Sequence, residues 1–273
     1  MATLYLIATP IGNLEDLSPR AARLLAAVAV IACEDTRRTA KLLAHLGVHT
    51  PLLSYHQHNE PRRADALVAR LQAGQDVALV SDAGMPLVSD PGLLLVRAAI
   101  AAGIAVVPVP GPNALLAALA ASGFPPEPFY FAGFLPAKPA ARQRLLAAWR
   151  QRPETIIFYE APHRLLAALA DLEAAFAASR PLVVARELTK LHEEIRRGSI
   201  PELHAYFTRQ EPRGEFTLLL GPGAAAAEPL PTEAARRMQA AVAAGLDPKL
   251  AAKQIARDLG LPRAEVFRRW QGR

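Results

Sequence analysis

The chain holds one cysteine, Cys33, among 273 residues. A lone thiol forms no internal disulfide and supplies no thiolate cluster for zinc. Long hydrophobic runs are missing as well. Stretches such as Leu24–Cys33 fall short of the ~20 apolar residues that cross a bilayer. The opening Met-Ala-Thr-Leu-Tyr-Leu-Ile-Ala-Thr-Pro carries no charged leader and no signal-type cleavage site, and it reads as a first strand. The expectation is a cytoplasmic protein without membrane association. Familiar phosphate cradles are also absent. No G-x-x-x-x-G-K-[ST] occurs, which argues against ordinary NTPase chemistry. No G-x-G-x-x-G opens the first βα unit, which argues against a dinucleotide site. Gly221-Pro222-Gly223-Ala224-Ala225-Ala226 follows a strand, but Pro222 and the linker behind it mark a strand exit.

What is present is a globular balance, 52% apolar and 21% charged. The net charge of +6 is unevenly placed. Residues 232–273 hold nine Lys/Arg against four acids, whereas the other 231 residues hold 22 basic and 21 acidic side chains. A nearly neutral body thus carries a basic tail, the electrostatic footprint expected for a polyanion partner or, alternatively, a solvated helical surface.

Apolar runs and helical segments alternate along the body. Strands are expected at Leu4–Ala8, Val28–Cys33, Asp76–Ser81 and Ile104–Val109. Helices are expected after Ser18-Pro19 and over Thr36–Leu46, Pro61–Ala73, Pro91–Ala102 and Pro112–Ala121. This order predicts an α/β domain with a largely parallel sheet over residues 1–123. The proline-rich connector Phe124–Pro128 is the expected boundary. A second α/β domain is expected over 124–223. Its strands fall at Phe129–Ala132, Thr155–Tyr159, Leu182–Arg186 and Phe216–Leu220, with helices at Ala140–Gln151 and Pro162–Phe176. Residues 232–273 read as a small all-helical unit, in which Ala251–Phe267 has a helix–glycine turn–helix rhythm. Ile255, Ala256, Leu259, Leu261 and Val266 are its expected core, and Arg263–Trp270 its nucleic-acid-facing helix.

Four Gly/Pro loops lie at predicted strand ends, where open α/β sheets bind ligands. They are Thr9-Pro10-Ile11-Gly12-Asn13, Ser81–Gly92, Val109–Ala114 and Gly133–Lys138. Ser81–Gly92 contains Asp82 and Asp90 and no Lys or Arg. An acidic loop repels phosphate and suits a ligand bearing hydroxyls, an ammonium or a sulfonium. S-adenosylmethionine has all three.

These segments resemble the bacterial ribosomal RNA small subunit methyltransferase I family. The resemblance rests on Ala8–Asp16, Cys33–Thr39, Leu79–Gly84, Ser89–Gly92, Gly133–Pro136, Tyr159–Arg164 and Ala185–Glu194, in order from residue 4 to about 221. Met85 stands where the family usually has Thr, and Asn113 where Ser is common. The resemblance implies a two-domain tetrapyrrole-methylase-like α/β fold with a helix-turn-helix-like tail, a cleft that holds S-adenosylmethionine, and a homodimer. It implies 2′-O-methylation of a cytidine in the decoding region of small-subunit rRNA, with the 30S subunit as partner.

The donor contacts expected on this reading are Thr9, Pro10, Gly12, Ser81, Asp82, Ala83, Gly84, Pro86, Asp90, Gly111, Pro112, Asn113, Ala114, Phe134 and Leu135. A ribose hydroxyl is a poor nucleophile, so a base or a cation near the developing alkoxide is sought. Glu160, His163, Glu187 and Lys190 are the catalytic candidates. RNA contacts are expected from Arg37, Arg38, Arg164, Arg186, Lys253, Arg263, Arg268 and Arg269. Several have plainer readings: Glu34 and Asp35 as caps of the helix at Thr36, His163 as a structural residue, Arg186-Glu187 as an ion pair. His56-Gln57-His58 brings together only two imidazoles, so no metal is expected. A same-fold methylase of tetrapyrroles or protein, and a non-catalytic RNA-binding factor, are the alternatives.

Overall fold

A computed structural model describes residues 2–176, 179–223 and 231–270, apart from the side chains of 231–233, 235, 268 and 269. The chain forms two compact units, Met1–Gly223 and Ala224–Arg273.

The first unit contains two sheets. One is built from β1 (Thr3–Ile7), β2 (Val30–Cys33), β3 (Leu52–Ser54), β4 (Val77–Val80) and β5 (Ala105–Val109), in the order β3-β2-β4-β1-β5. Every pairing in it is parallel. Its helices are α1 (Pro19–Ala27), α2 (Thr36–Leu46), α3 (Glu60–Gln72), α4 (Leu93–Ala101) and α5 (Ala114–Ser122). Strands of a covered parallel sheet are apolar on both faces, and β2 and β4 are buried throughout. Alternate residues enter opposite cores. Val77 and Leu79 pack with Leu67, Leu71 and Leu95, whereas Ala78 and Val80 pack with Leu25, Leu42 and Leu43. Local chemistry sets the helix ends. Ser18 accepts from the Ala21 N–H ahead of Pro19, Asp35 accepts from the Arg37 N–H, and Gly47 closes α2 at φ 66°.

The second sheet holds β6 (Phe129–Phe134), β7 (Thr155–Glu160), β8 (Pro181–Arg186), β9 (Glu194–Ser199) and β10 (Phe216–Leu220), ordered β6-β7-β10-β8-β9. Here β6 and β7 are parallel, while β10 runs antiparallel to both β7 and β8, and β9 antiparallel to β8. The helices α6 (Pro139–Trp149), α7 (Pro162–Phe176) and α8 (Ile200–Thr208) accompany it. Three elements escape the sequence pattern: β3, only three residues long; β9, a polar edge strand; and α8, whose Ser199/Glu202 capping box follows β9 directly. Helix α5, almost wholly apolar, ties the two sheets together. Leu115, Ala118 and Leu119 share a cluster with Ile157, Val183 and Leu219.

The second unit consists of α9 (Pro231–Ala243), α10 (Pro248–Leu259) and α11 (Arg263–Trp270). Met238, Ala251, Ala252, Ile255, Ala256 and Val266 form its core, with Leu259, Leu261 and Trp270 packed against them. Gly260, at φ 65°, makes the turn between α10 and α11. Lys249, Lys253, Arg257 and Arg263 are exposed. The side chains of Arg268 and Arg269 lie outside the described residues.

Candidate functional site

The carboxyl ends of β1, β4 and β5 feed three loops that meet. In the order β3-β2-β4-β1-β5 the connection after β1 runs to β2 and the connection after β4 runs to β5, so these two neighbours send their chains in opposite directions and open a crevice between them. Two backbone hydrogen bonds of 2.9 Å, one in each direction, join Thr9 and Gly84 across the loops. Thr9 Oγ1 donates to Ser81 O at 3.0 Å, and Ser81 Oγ donates to Gly84 O at 3.1 Å. The acidic loop is held in a strained form, with Leu87 at φ 72° and Ser89 at φ 68°.

The second sheet closes the crevice through the loop 187–190. Asn13 N–H donates to Thr189 Oγ1 at 3.1 Å. A Cβ on Gly12 would lie 2.8 Å from Thr189 Oγ1 and 3.1 Å from Leu188 O, so only glycine permits this approach. Glu187 Oε1 accepts from Lys190 Nζ at 2.8 Å and from the Glu215 N–H at 2.9 Å, and Lys190 Nζ also reaches Glu215 Oε2 at 3.0 Å.

Between these walls lies a cavity of about 330 Å³. Asp82, Ala83, Gly84, Met85, Val88, Ser89 and Asp90 of the acidic loop line it, as do Asn113 and Ala114 at the start of α5. The second sheet contributes Phe134, Tyr159, Glu160 and the segment Gly214–Thr217. Tyr159 packs edge-on against Phe131 and Phe134, with centroids 5.1 and 5.5 Å apart. Burial pushes the Tyr159 hydroxyl up to about 12.

Charge inside the cavity is mainly negative. Burial, reinforced by Glu34 and Asp82, pushes Asp90 up to about 6, against a hydrogen bond from Ser81. Asp82 Oδ1 accepts from the Asp35 N–H at 3.0 Å, and its Oδ2 lies 3.7 Å from Arg38 Nε. The Glu160 side chain is fully buried. Its Oε1 accepts from the Ala161 N–H at 2.9 Å. Arg164 Nε sits 3.1 Å from the same oxygen without hydrogen-bond alignment, and its Nη2 is 3.4 Å from Oε2. The same guanidinium donates to Leu135 O. Burial raises the Glu160 carboxyl above its ordinary range, against the Ala161 N–H and Arg164.

The comparisons with known proteins bear on the fold and the family. Residues 3–204 match the family model of the Tetrapyrrole (Corrin/Porphyrin) Methylases. The chain is 49% identical to ribosomal RNA small subunit methyltransferase I of Synechocystis sp., over 98% of this chain and 96% of that one. The chain belongs to the ribosomal RNA small subunit methyltransferase I family, among the tetrapyrrole methylases. The same enzyme of Pseudomonas aeruginosa is 53% identical over 80% of this chain and 78% of its own. Among solved structures, the methyltransferase CobJ superposes with a TM-score of 0.60 at 20% identity, covering 82% of this chain and 95% of that chain. Uroporphyrin-III C-methyltransferase from Thermus thermophilus complexed with S-adenosyl homocysteine does so at 0.57 and 21%, covering 81% and 97%. At such identities they establish the fold.

Of the residues that the resemblance to methyltransferase I singles out, Asp82, Ala83, Gly84, Asp90, Asn113, Ala114, Phe134 and Glu160 meet in the one cavity, together with Arg38. Thr9, Pro10 and Ser81 line a smaller adjoining pocket. Pro86 and Leu135 are buried behind the loops, and Gly111 is exposed beside Ala8. Pro112 contributes its carbonyl next to Gly84. Gly12 packs on the 188–190 loop. His163 is exposed at the start of α7. Arg186 Nε donates to Arg213 O at 2.8 Å, and its Nη1 is 3.9 Å from Glu194. Burial opposes ionisation of Glu187, yet Lys190 and the Glu215 N–H outweigh it and hold the carboxyl below its ordinary range. Burial likewise opposes the Lys190 charge, and Glu187 and Glu215 overcome it. Arg37 is paired with Asp35 at 2.8 Å, which holds that aspartate down at about 2. Asn113 Oδ1 caps α5 by accepting from the Leu115 and Leu116 N–H groups, a duty serine can also perform. His56 Nε2 lies 3.1 Å from Asn59 Nδ2, and among the described residues no group of His, Cys, Asp and Glu is placed to hold a metal ion.

Sequence reasoning overlooked Tyr159 as a wall and the whole Gly214–Thr217 segment. The available signal was Gly214, at φ 89° ahead of a strand, where the Glu187 side chain occupies the space a Cβ would fill.

Proposed function

We propose that this methyltransferase binds S-adenosylmethionine in the 330 Å³ cavity and methylates the 2′-hydroxyl of a cytidine ribose in the decoding region of small-subunit rRNA. The cavity carries the reading. Its volume falls within the ~300–1,000 Å³ range of small-molecule sites. Its carboxylates, Asp82 and Asp90, suit a cationic, hydroxyl-bearing ligand and repel free phosphate. Phe134 and Tyr159 offer aromatic surface to a purine, and Gly84 and Ala114 let the backbone approach closely. The bound donor would supply a methyl group already activated on sulfonium, so the protein's work is alignment of the acceptor. Asp82 and Asp90 would face the donor's charge and hydroxyls. The Lys190–Glu187–Glu215 cluster would hold the Gly12 loop and the Gly214–Thr217 wall in register. Glu160, committed to Ala161 and Arg164, would fix the 133–136 loop rather than take a proton.

We read residues 1–123 and 124–223 as the two domains that supply these walls, and 232–273 as an RNA-binding unit. The resemblance to methyltransferase I supports a cytoplasmic homodimer acting on 30S particles. No helix among the described residues is long and apolar enough to cross a membrane. The test pairs calorimetry with ribose-methylation mapping of rRNA from a deletion strain. S-adenosylmethionine should bind the wild type, and Asp82→Ala should weaken it at least tenfold without lowering thermal stability. An unmethylated cytidine in the deletion strain completes the case; unchanged rRNA methylation, or an unaffected Asp82→Ala, overturns it.

A further inference from the structure

Beside the cavity lies a second, smaller pocket of about 170 Å³. Its inner surface comes from Thr9, Ser81 and the buried Leu42, and its rim from Leu14, Arg38 and Lys41. The two openings share Arg38 and Asp82, which stand as a wall between them. The balance of charge changes across that wall. The cavity sets Asp82, Asp90, Glu160 and Glu215 against Arg38, with Glu34 close to Asp90; the pocket sets Arg38 and Lys41 against the shared Asp82. Arg38 is only loosely held by Asp82, at 3.7 Å, and its side chain is 61% exposed. Lys41 is exposed and, among the described residues, forms no ion pair.

We infer that this pocket receives the acceptor: one ribose of a single RNA strand, with its flanking phosphate on Arg38 and Lys41. The inference rests on the donor reading of the larger cavity. A cationic donor and an anionic acceptor need openings of opposite sign, and reacting atoms need them to adjoin. Both conditions meet at Asp82 and Arg38. The pocket is too small for a whole nucleotide, so it takes sugar and phosphate while the base projects past the exposed Leu14. Sequence-specific RNA recognition mostly takes single strands whose bases can be splayed out, and an unpaired strand is the form this pocket would take. Asp82, reaching the pocket from the wall, is placed to accept a hydrogen bond from the sugar hydroxyl.

The test measures binding of the full-length protein to 30S particles at several salt concentrations, with S-adenosylmethionine binding measured in parallel by calorimetry. Lys41→Ala should weaken 30S binding about tenfold and lower the salt slope by ~1, as expected for one lost phosphate contact. Its donor affinity should remain within twofold of wild type. Leu14→Trp, which narrows the pocket mouth without touching a charge, should raise KM for 30S and leave the salt slope unchanged. Normal 30S affinity, slope and KM in both variants, with donor binding intact, overturn the acceptor pocket. Loss of donor affinity in Lys41→Ala also overturns it, because the pocket would then belong to the donor. Absence of donor binding in the wild type would sink the underlying reading instead.

Discussion

Replacing Glu160 separates chemistry from positioning. Its carboxyl is fully buried, bonds the first N–H of the segment entering α7, and faces Arg164, which in turn holds Leu135 O. Glu160→Ala removes all of this and leaves the Ala161 N–H and the Arg164 charge without their partner. Breaking a buried pair costs ~3–5 kcal/mol. Arg164 is 22% exposed and recovers part of that in water, which leaves about 3 kcal/mol. For a domain of this size, ~2–4 °C of Tm accompanies each kcal/mol, so Tm should fall by roughly 6–12 °C. Glu160→Gln behaves differently. Burial raises this carboxyl's pKa despite Arg164, so the charge itself costs more than the pairing returns. An amide of the same shape keeps the bond from Ala161 and should change stability by about 1 kcal/mol or less. Scanning calorimetry, donor titration and single-turnover methyl transfer to 30S particles should therefore find Glu160→Gln within tenfold of wild type and Glu160→Ala thermolabile. A general base contributes ~10²–10⁴-fold. A Glu160→Gln protein with wild-type Tm and donor affinity but a rate reduced by that factor would refute the positioning role.

Asp90 predicts a pH dependence. Its carboxyl ionises at about 6, above the ordinary range, so the stability that it contributes is present below its unfolded value and is lost as pH rises through about 6. Donor affinity should run the opposite way, rising about tenfold per unit up to pH 6 and then levelling; Asp90→Asn should be flat, and a wild-type profile in that variant would remove Asp90 from the site. Lys190→Ala breaks the bridges to Glu187 and Glu215 that hold the cavity wall, so donor affinity and methyl transfer should fall together. A rate that falls at unchanged donor affinity would argue against that role. A chain ending at Pro231 lacks the exposed Lys249, Lys253, Arg257 and Arg263. It should bind the donor normally and 30S weakly, with a salt slope reduced by ~0.9 per lost phosphate contact, and an unchanged slope would exclude the tail from RNA binding.

Much of this protein is local. The parallel sheet of the first half follows from apolar runs punctuated by Ser18-Pro19, Asp35 and Gly47, since capping and φ preferences act within a few residues. The loops that bear the cavity were legible because Gly and Pro cluster at strand ends, and the turn at Gly260 because glycine, lacking a Cβ, sits easily at φ 65°. The basic tail follows from counting charges.

Direction and adjacency were not local. Nothing in Phe216–Leu220 distinguishes a parallel from an antiparallel strand, and only assembly inserts β10 between β7 and β8. That insertion carries Gly214–Thr217 into the cavity, beside a Tyr159 that reads in sequence as ordinary strand core. The surroundings of the charged candidates were decided the same way. Glu160, Glu187 and Lys190 are each chemically able to move a proton, but an ionisable side chain takes its function from its partners. Those partners, Arg164 at close sequence range and Glu215 far along the chain, meet them only in the folded protein.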